Sequence, residues 1–404
     1  MTVVRVQEHG TSRAYLETDH AQALALAAGP SLTITPAIGR GQWDIKAGST
    51  AGIVTAGDTQ VIIEPKVTIR NVLAMITRGS TNERWQPQTF DFGHDRDLLS
   101  ATVDAYIAAM DRAMTQGVRH DYVAHSERLN RVRGRINIAA GMRRPGIATT
   151  VLCDFDEYTP DNGLNQLLLA AIRRCYQIRN IAGEAVRLLH RAESRFEGVS
   201  EVPDPLSWAD RWVPTRLDQH FAEPVRLAEL ILRNFSVAHR TGTTTASAFL
   251  VDMNHLVETF VTGRVRVGLR SPFTLSAKPA VAFDVAATRT SWPDLVLMRG
   301  RRPALVADVK YKTATTFNDV SAADLYQVTC YAQSLNLSTA ALVMCGEGGV
   351  PASIVTRTSN VEIWLLPVNL RGPVGDLTRE IGLLASRLCG LSATDDEADP
   401  FTKI

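Results

Sequence analysis

Apolar and polar residues alternate in two stretches of the N-terminal region, 2–9 and 59–67. A period of two is typical of strands that bury one face, and turns containing Gly or Pro separate these stretches. From residue 71 the apolar positions adopt helical spacing, and a longer helix is predicted over 97–115. The pattern therefore predicts a β-rich N-terminal region that ends in helices.

The middle of the chain has apolar residues at helical spacing. Helices are predicted over 161–180, 183–196 and 221–237, and Asp161 or Asn162 is suited to cap the first of them. Three helices in succession, without alternating stretches between them, predict a helical middle region.

A basic segment, RVRGRINI, precedes these helices and contains Arg131, Arg133 and Arg135. Gly134 interrupts it, which favours a strand or hairpin over a helix. The arginines are candidates for contacts with DNA phosphates or with a protein partner. An equally weighted alternative is a solvated strand edge, where charge prevents aggregation.

Strands and helices alternate in the last third of the chain. The pattern predicts helices over 246–269 and 322–335, and strands over 280–286, 294–298, 304–311, 340–344 and 361–366. Such alternation is typical of a mixed α/β domain. The chain is therefore predicted to be an α/β multidomain protein with three consecutive regions, 1–125, 126–245 and 246–404.

Composition agrees with several folded domains. Of 404 residues, 45% are hydrophobic and 21% are charged, which are ordinary values for a globular protein with apolar cores. The net charge of +1 argues against a strong nonspecific coat on DNA. If the protein works on DNA, a partner is expected to supply part of the binding.

Several classes of protein are disfavoured by what the sequence lacks. The five cysteines are dispersed and form no CxxC pair, which favours reduced thiols over a zinc site. No signal peptide and no run of roughly 18 apolar residues is recognisable. These patterns predict a cytoplasmic protein.

The stretch WPDLVLMRGRRPALVADVKYK carries the candidate chemistry. A turn joins two apolar strands, so Asp294 at the start of the first should meet Asp308 and Lys310 at the end of the second. Two converging carboxylates suit Mg²⁺, and a nearby lysine can orient water or neutralise phosphate charge. The pattern is short, however, and a salt-bridged strand end is the alternative.

Two further features flank these strands. Glu258, in MNHLVETFV, lies on a predicted helix before them and could turn a third carboxylate toward a metal, although a surface glutamate is the alternative. Gln327 and Tyr331, four residues apart on the helix after them, share one helical face. Both can hydrogen-bond phosphate or hold the lysine. The order of these features along the chain is a helix with Glu258, a strand with Asp294, a strand with Asp308 and Lys310, and a helix with Gln327 and Tyr331. This order is stronger evidence than any one feature alone.

This ordered set resembles the PD-(D/E)xK nuclease superfamily, particularly its branches with a QxxxY helix. The stretches 51–76, 131–138, 156–171, 252–261, 308–312 and 324–332 are also similar to McrC-type subunits of 5-methylcytosine-dependent restriction systems. They cover most of the chain in the expected order. One departure is Val257, where an aromatic residue is expected before the glutamate, and this bears on packing rather than chemistry.

The resemblance implies a restriction-endonuclease-like core in 246–404, with Asp294, Asp308, Lys310 and Glu258 catalytic and the three carboxylates holding one or two Mg²⁺ ions. Gln327 and Tyr331 would support them. It also implies that region 1–125 binds and stimulates an AAA+ GTPase ring of the McrB type, while this chain cuts double-stranded DNA. The sequence contains no GxxxxGKS/T phosphate loop, so the chain is not expected to bind a nucleotide itself.

Two other functions stay open at the level of sequence. The chain could be a non-catalytic adaptor that activates the ring, although intact Asp294, Asp308 and Lys310 argue against this. It could also be a stand-alone DNA repair nuclease of the RecB-like type, which the large N-terminal region and the lack of a helicase motif disfavour.

Overall fold

The computed structural model describes residues 2–78, 97–138, 150–179, 181–241 and 244–393. The chain forms two compact units, of which the first combines Met1–Leu98 with Ser236–Ile404 and the second is Leu99–Phe235. This grouping differs from the three consecutive regions expected from the sequence, because the two ends of the chain share a sheet. Among the described residues, no helix combines the length and apolarity needed to cross a membrane.

The first unit contains most of the strands. In its N-terminal part they are β1 (Thr2–Gln7), β2 (Thr11–Tyr15), β3 (Leu32–Pro36), β4 (Gln42–Ala47), β5 (Thr50–Ala56) and β6 (Thr59–Glu64). In its C-terminal part they are β10 (Phe235–Thr241), β11 (Thr244–Asp252), β12 (Phe273–Ala277), β13 (Val281–Ala282), β14 (Thr290–Ser291), β15 (Leu295–Arg299), β16 (Arg302–Lys310), β17 (Thr339–Gly346), β18 (Ala352–Val355) and β19 (Glu362–Asn369). Its helices are α1 (Thr18–Ala28), α2 (Ile69–Arg78), α8 (Met253–Gly268), α9 (Ala322–Ser334) and α10 (Val374–Ala393).

The second unit is mainly helical, as the sequence pattern predicts. Its helices are α3 (Leu98–Ala113), α4 (Gly163–Cys175), α5 (Gly183–Glu193), α6 (Leu206–Ala209) and α7 (Ala222–Asn234). Asn162 caps α4, where its side chain accepts a hydrogen bond from the backbone of Asn165. The strands are β7 (Asp121–Leu129), β8 (Arg135–Ile136) and β9 (Val151–Thr159), with β9 in the centre.

The basic segment lies in this small sheet. Arg131 and Arg133 occupy the turn after β7, and Arg135 begins β8. Both strands pair with β9 rather than with each other, so the segment is not a simple hairpin. Gly134 adopts a φ of +66°, and a Cβ there would lie 2.4 Å from the carbonyl oxygen of Asp154. The turn therefore requires glycine on both conformational and steric grounds.

A five-stranded sheet joins the two ends of the chain, in the order β1-β6-β5-β11-β10. Strand β11 is antiparallel to β5, with Ala246 opposite Ala56 and Asp252 opposite Thr50. The prediction of one helix over 246–269 is therefore wrong in its first part. The segment ASAFLVD extends along β5, and α8 begins only at Met253 because the Asp252 side chain caps its first turn.

The six-stranded sheet carries the candidate site, in the order β12-β15-β16-β17-β19-β18. Strands β16, β17 and β19 are parallel, and β12, β15 and β18 are antiparallel to their neighbours. Every residue of the central strand β17 is buried, which agrees with its nearly continuous apolar sequence. Helix α9 packs its buried face, including Val328 and Ala332, against this sheet.

The strand predicted over 280–286 is shorter than expected. Only Val281–Ala282 pairs, with Thr290–Ser291, in a small two-stranded hairpin. The rest of the segment forms the hairpin's turn, because the Asp284 side chain accepts hydrogen bonds from the backbone of Thr288 and Arg289. Such bonds compete with strand pairing and favour a turn.

Candidate active site

Two aspartates and a lysine meet where β15 begins and β16 ends. Leu295 pairs with Ala307 in the antiparallel register, so Asp294 lies opposite Asp308. The backbone N–H of Val309 donates a hydrogen bond of 2.8 Å to Oδ2 of Asp294. Asp308 and Lys310 point to the same face of β16, and their Oδ2 and Nζ atoms are 2.7 Å apart. The structure thus brings the three predicted residues together.

The carboxylates of this cluster are poorly solvated. Asp308 is only 2% exposed and Asp294 is partly buried. Burial, together with the negative charge of Asp308, raises the pKa of Asp294 to about 7. Burial also raises the pKa of Asp308, against the opposing effect of Lys310. Two such groups repel each other unless a proton or a cation lies between them.

Lys310 keeps its positive charge in this environment. Burial opposes protonation, but the hydrogen bond and charge of Asp308 and the charges of neighbouring aspartates outweigh it, and the pKa of Lys310 is raised. A lysine with a raised pKa is a cation and a hydrogen-bond donor, not a general base. The site therefore contains one fixed positive charge beside two crowded carboxyl groups.

Helix α9 holds this lysine through a chain of hydrogen bonds. Nζ of Lys310 donates to Oε1 of Gln327 at 2.9 Å, and Nε2 of Gln327 donates to the hydroxyl oxygen of Tyr331 at 2.8 Å. The spacing of four residues places Gln327 and Tyr331 on one face of the helix. Gln327 thus contacts Lys310 directly, and Tyr331 is connected to Lys310 through Gln327.

Glu258 lies on α8 near the cluster but has a different immediate partner. Its Oε1 atom is 2.8 Å from Nζ of Lys278. The charge of Glu258 contributes to the raised pKa of Asp294, and the backbone N–H of Lys278 donates to the carbonyl oxygen of Asp294. Val257, the departure noted in the sequence, is fully buried and packs within the core.

Asp324 and Lys312 were not singled out in the sequence. Asp324, in the first turn of α9, is buried and accepts hydrogen bonds from Nζ of Lys312 and Oγ of Ser321, at 2.8 and 2.7 Å. Its Oδ1 atom lies 3.9 Å from Nζ of Lys310. Burial opposes ionisation, but these partners lower the pKa of Asp324. The sequence signal for this second ion pair is the DVKYK strand, which is followed by a helix with Ser and Asp at its start.

The donor set of the cluster is compatible with a divalent cation. Oδ2 of Asp308 is buried, and apart from its ion pair with Lys310 it accepts no hydrogen bond from any residue that the structure describes. Carboxylate oxygens are the ligands that Mg²⁺ prefers. In the described ranges, no three His, Cys, Asp or Glu side chains are already gathered as a metal site. The two aspartates therefore fit a cation, whereas Glu258 would first have to leave Lys278.

The arginines of the basic segment are exposed in the second unit. The guanidinium of Arg133 lies 4.2 Å from the ring centroid of Phe155 and 3.3 Å from a carboxylate oxygen of Glu157. Arg131 and Arg135 are exposed as well. Arg133 therefore has a structural role within its own sheet, and a role of the three in DNA or partner binding stays a prediction.

Comparisons with known proteins identify the family of the chain. A family model described as "McrBC 5-methylcytosine restriction system component" matches residues 45–344, a range that includes Glu258, Asp294, Asp308, Lys310 and Gln327. No curated protein matches the chain.

Two solved structures from Thermococcus gammatolerans match the chain, and the first of them is similar in fold. One is a refined half-complex from a tetradecameric assembly of McrB AAA+ hexamers with bound McrC. It has a TM-score of 0.59 and 18% identity over 96% of this chain and 100% of that chain. The other, a cryo-EM structure of the McrBC complex, has a TM-score of 0.43 and 20% identity over 64% of this chain and 86% of that chain. Since the family model alone spans well over half of the sequence, the chain belongs to the McrBC family of 5-methylcytosine restriction system components.

Proposed function

We propose that this chain is the McrC-type nuclease subunit of its restriction system and that it hydrolyses DNA phosphodiester bonds at a PD-(D/E)xK site. The observation that carries the proposal is the connected set of Asp294, Asp308 and Lys310, which meets on two adjacent strands and is held by Gln327 of α9. A structural salt bridge alone would not leave two carboxyl groups with raised pKa values side by side.

Asp294 and Asp308 would hold Mg²⁺, with Glu258 as a further ligand if Lys278 releases it. The ion, when bound, supplies Lewis acidity and a more acidic bound water. The protein contributes the remaining functions. The two carboxylates would act as ligands of the ion, Lys310 would donate hydrogen bonds to the phosphate oxygen or the attacking water, and Gln327 would fix the direction of the Lys310 Nζ atom.

The proposed partners follow from the family and from the similar fold. In the T. gammatolerans assembly, McrC is bound to McrB AAA+ hexamers. By analogy, this chain would bind and stimulate an AAA+ GTPase ring of the McrB type, which would supply nucleotide hydrolysis. Double-stranded DNA would be the substrate of this chain, and Arg131, Arg133 and Arg135 are candidates for contacts with the DNA or the ring.

The test compares wild type with Asp308→Ala, each purified with the ring subunit. Cleavage of methylated plasmid with GTP and Mg²⁺ is measured, and GTP hydrolysis is recorded in parallel. Asp319→Ala is the matched control, because Asp319 lies on a surface turn where it bonds only Thr315 and Thr316 among the contacts described. The proposal predicts that wild type and Asp319→Ala cut, that Asp308→Ala does not, and that all three stimulate the GTPase.

Other results would contradict parts of the proposal. If no variant cuts but all stimulate the ring, the chain is an adaptor rather than a nuclease. If Asp308→Ala cuts as fast as wild type, hydrolysis takes place elsewhere. If the chain cuts equally well without the ring, it is a stand-alone nuclease rather than a subunit of a restriction complex.

A further inference from the structure

The hairpin between Lys278 and Pro293 presents apolar side chains to solvent beside the candidate active site. Phe283 is 55% exposed, Trp292 is 57% exposed, and Val285 is fully exposed. Side chains of this size scattered singly on a surface need no explanation, but three on one short hairpin do. Their position raises the question of what covers them.

The hairpin is attached to the site at both of its ends. Lys278, at its start, is paired with Glu258 and donates a backbone hydrogen bond to Asp294. Pro293, at its end, is followed directly by Asp294. A molecule that reaches the two aspartates would therefore lie close to the base of the hairpin.

The turn of the hairpin is held in a defined shape. The Asp284 carboxylate accepts hydrogen bonds from the backbone N–H groups of Thr288 and Arg289 and from the hydroxyl of Thr288, at 3.2, 2.7 and 2.8 Å. Ala287 adopts a φ of +53°, a left-handed conformation that is unfavourable for a residue other than glycine. The hydrogen bonds of Asp284 therefore hold the backbone of this small hairpin in one conformation despite the unfavourable φ of Ala287.

The charges of the hairpin favour an anionic molecule. Asp284 is its only acidic residue, and that carboxylate is engaged by the turn, whereas Arg289 is exposed at the surface. Exposed aromatic and aliphatic groups next to an arginine suit nucleic acid, because apolar side chains insert between base steps while arginine binds phosphate. Of the possible occupants, DNA is the one that the proposed nuclease site, at the base of the hairpin, would itself bring to this surface.

We propose that this hairpin contacts the DNA duplex beside the bond to be cut, with Phe283 and Val285 inserted at a base step and Arg289 on a phosphate. This inference rests on the proposed nuclease function, since it takes the same DNA as the occupant. Insertion would unstack the duplex locally and hold the scissile strand over Asp294 and Asp308. The hairpin would thus position the substrate without taking part in the chemistry.

The experiment measures DNA binding separately from cleavage. Chains with Asp308→Asn, which stops cleavage, bind a fluorescein-labelled duplex of about 20 base pairs that contains 2-aminopurine. One carries Phe283→Ser with Val285→Ser. The matched control carries Val350→Ser with Val355→Ser, two exposed valines on and before β18, at the far edge of the same sheet. Thermal unfolding and stimulation of the ring's GTPase are recorded for each.

The expected result is a dissociation constant about tenfold higher for the hairpin variant, in line with stacking contributions per base. The rise in 2-aminopurine fluorescence on binding should also disappear. The control should match the parent in both measurements. Arg289→Ala should lower the slope of log affinity against log salt by about one. Arg357→Ala, at an exposed arginine in the turn between β18 and β19, should leave this slope unchanged.

Three outcomes overturn the inference. One is unchanged DNA affinity and fluorescence in the hairpin variant. Another is an equal loss in the control, which would indicate a general effect of surface substitution. The third is intact DNA binding with lost GTPase stimulation, which would assign the hairpin to the protein partner. If the otherwise wild-type chain binds DNA but never cuts it, the proposed nuclease function fails while the hairpin result stands.

Discussion

Lys310 lies between two acidic environments that differ in how well their charges are compensated. On one side, Asp308 and Asp294 share a buried site and have raised pKa values. On the other, Asp324 is also buried but is satisfied by Lys312 and Ser321, and its pKa is lowered. Burial alone does not separate the two environments. The two environments differ in whether the carboxylates have fixed hydrogen-bonding and charged partners. Asp294 and Asp308 have fewer such partners than Asp324, so their side is the one suited to bind a cation.

The largest effect is expected from Asp308→Asn. Cleavage should fall by about a thousandfold or more, because several kcal/mol of metal-dependent stabilisation are lost from the transition state. The free energy of unfolding should not decrease, since the substitution removes one of two repelling carboxyl groups. Single-turnover cleavage and urea unfolding measure the two quantities. A variant that loses both activity and stability would show that Asp308 is structural.

Gln327→Leu should have an intermediate effect on cleavage. It removes the acceptor that directs Nζ of Lys310, a bond to a charged group that contributes about 1.5–3 kcal/mol. The turnover number should fall about 10- to 100-fold with little change in KM. Gln333→Leu, on the same helix, is the control, and it should cut at the wild-type rate. An effect on KM alone would place Gln327 in substrate binding instead.

Asp324→Asn tests the compensated side of Lys310. The substitution weakens the contacts with Lys312 and Ser321, so the free energy of unfolding should decrease by about 1–3 kcal/mol. Cleavage should change much less than in Asp308→Asn. Chemical denaturation of both variants in parallel is the measurement. Equal behaviour of the two aspartates would remove the distinction drawn between the two environments.

Tyr331→Phe should produce the smallest change. It removes a hydroxyl that accepts a hydrogen bond from Gln327, a net contribution of about 1 kcal/mol. Cleavage should slow about fivefold, and a second substitution, Gln327→Leu, should make the tyrosine change nearly silent. Additive effects in that double variant would mean that Tyr331 does not act through Gln327.

Sequence reasoning anticipated those parts of the site that follow from local pattern. The turn between β15 and β16 makes the strands neighbours, and their periodicity places Asp308 and Lys310 on one face. The i,i+4 spacing likewise placed Gln327 and Tyr331 together. The family expected from the ordered motifs is confirmed by the match over residues 45–344.

The remainder depended on contacts between distant segments. Lys278 was not recognised as the partner of Glu258, because they are on separate elements and no spacing rule links them. From the sequence alone, ASAFLVD is predicted as the start of a helix, because the strand that pairs with it, β5, is distant in the sequence. Asp284 ended a predicted strand through side-chain hydrogen bonds that a hydrophobic pattern does not reveal.

The pairing of β5 with β11 has a consequence for how the protein is made. Ala56 and Ala246, which face each other in this pair, are about 190 residues apart in the chain. During synthesis, strand β5 can pair with β6 but lacks its other neighbour until β11 has been translated, whereas Leu99–Phe235 is complete before then. Pairings this distant in sequence slow folding, because a long loop must close before any contact forms. The free edge of β5 is therefore exposed to misassembly during this interval.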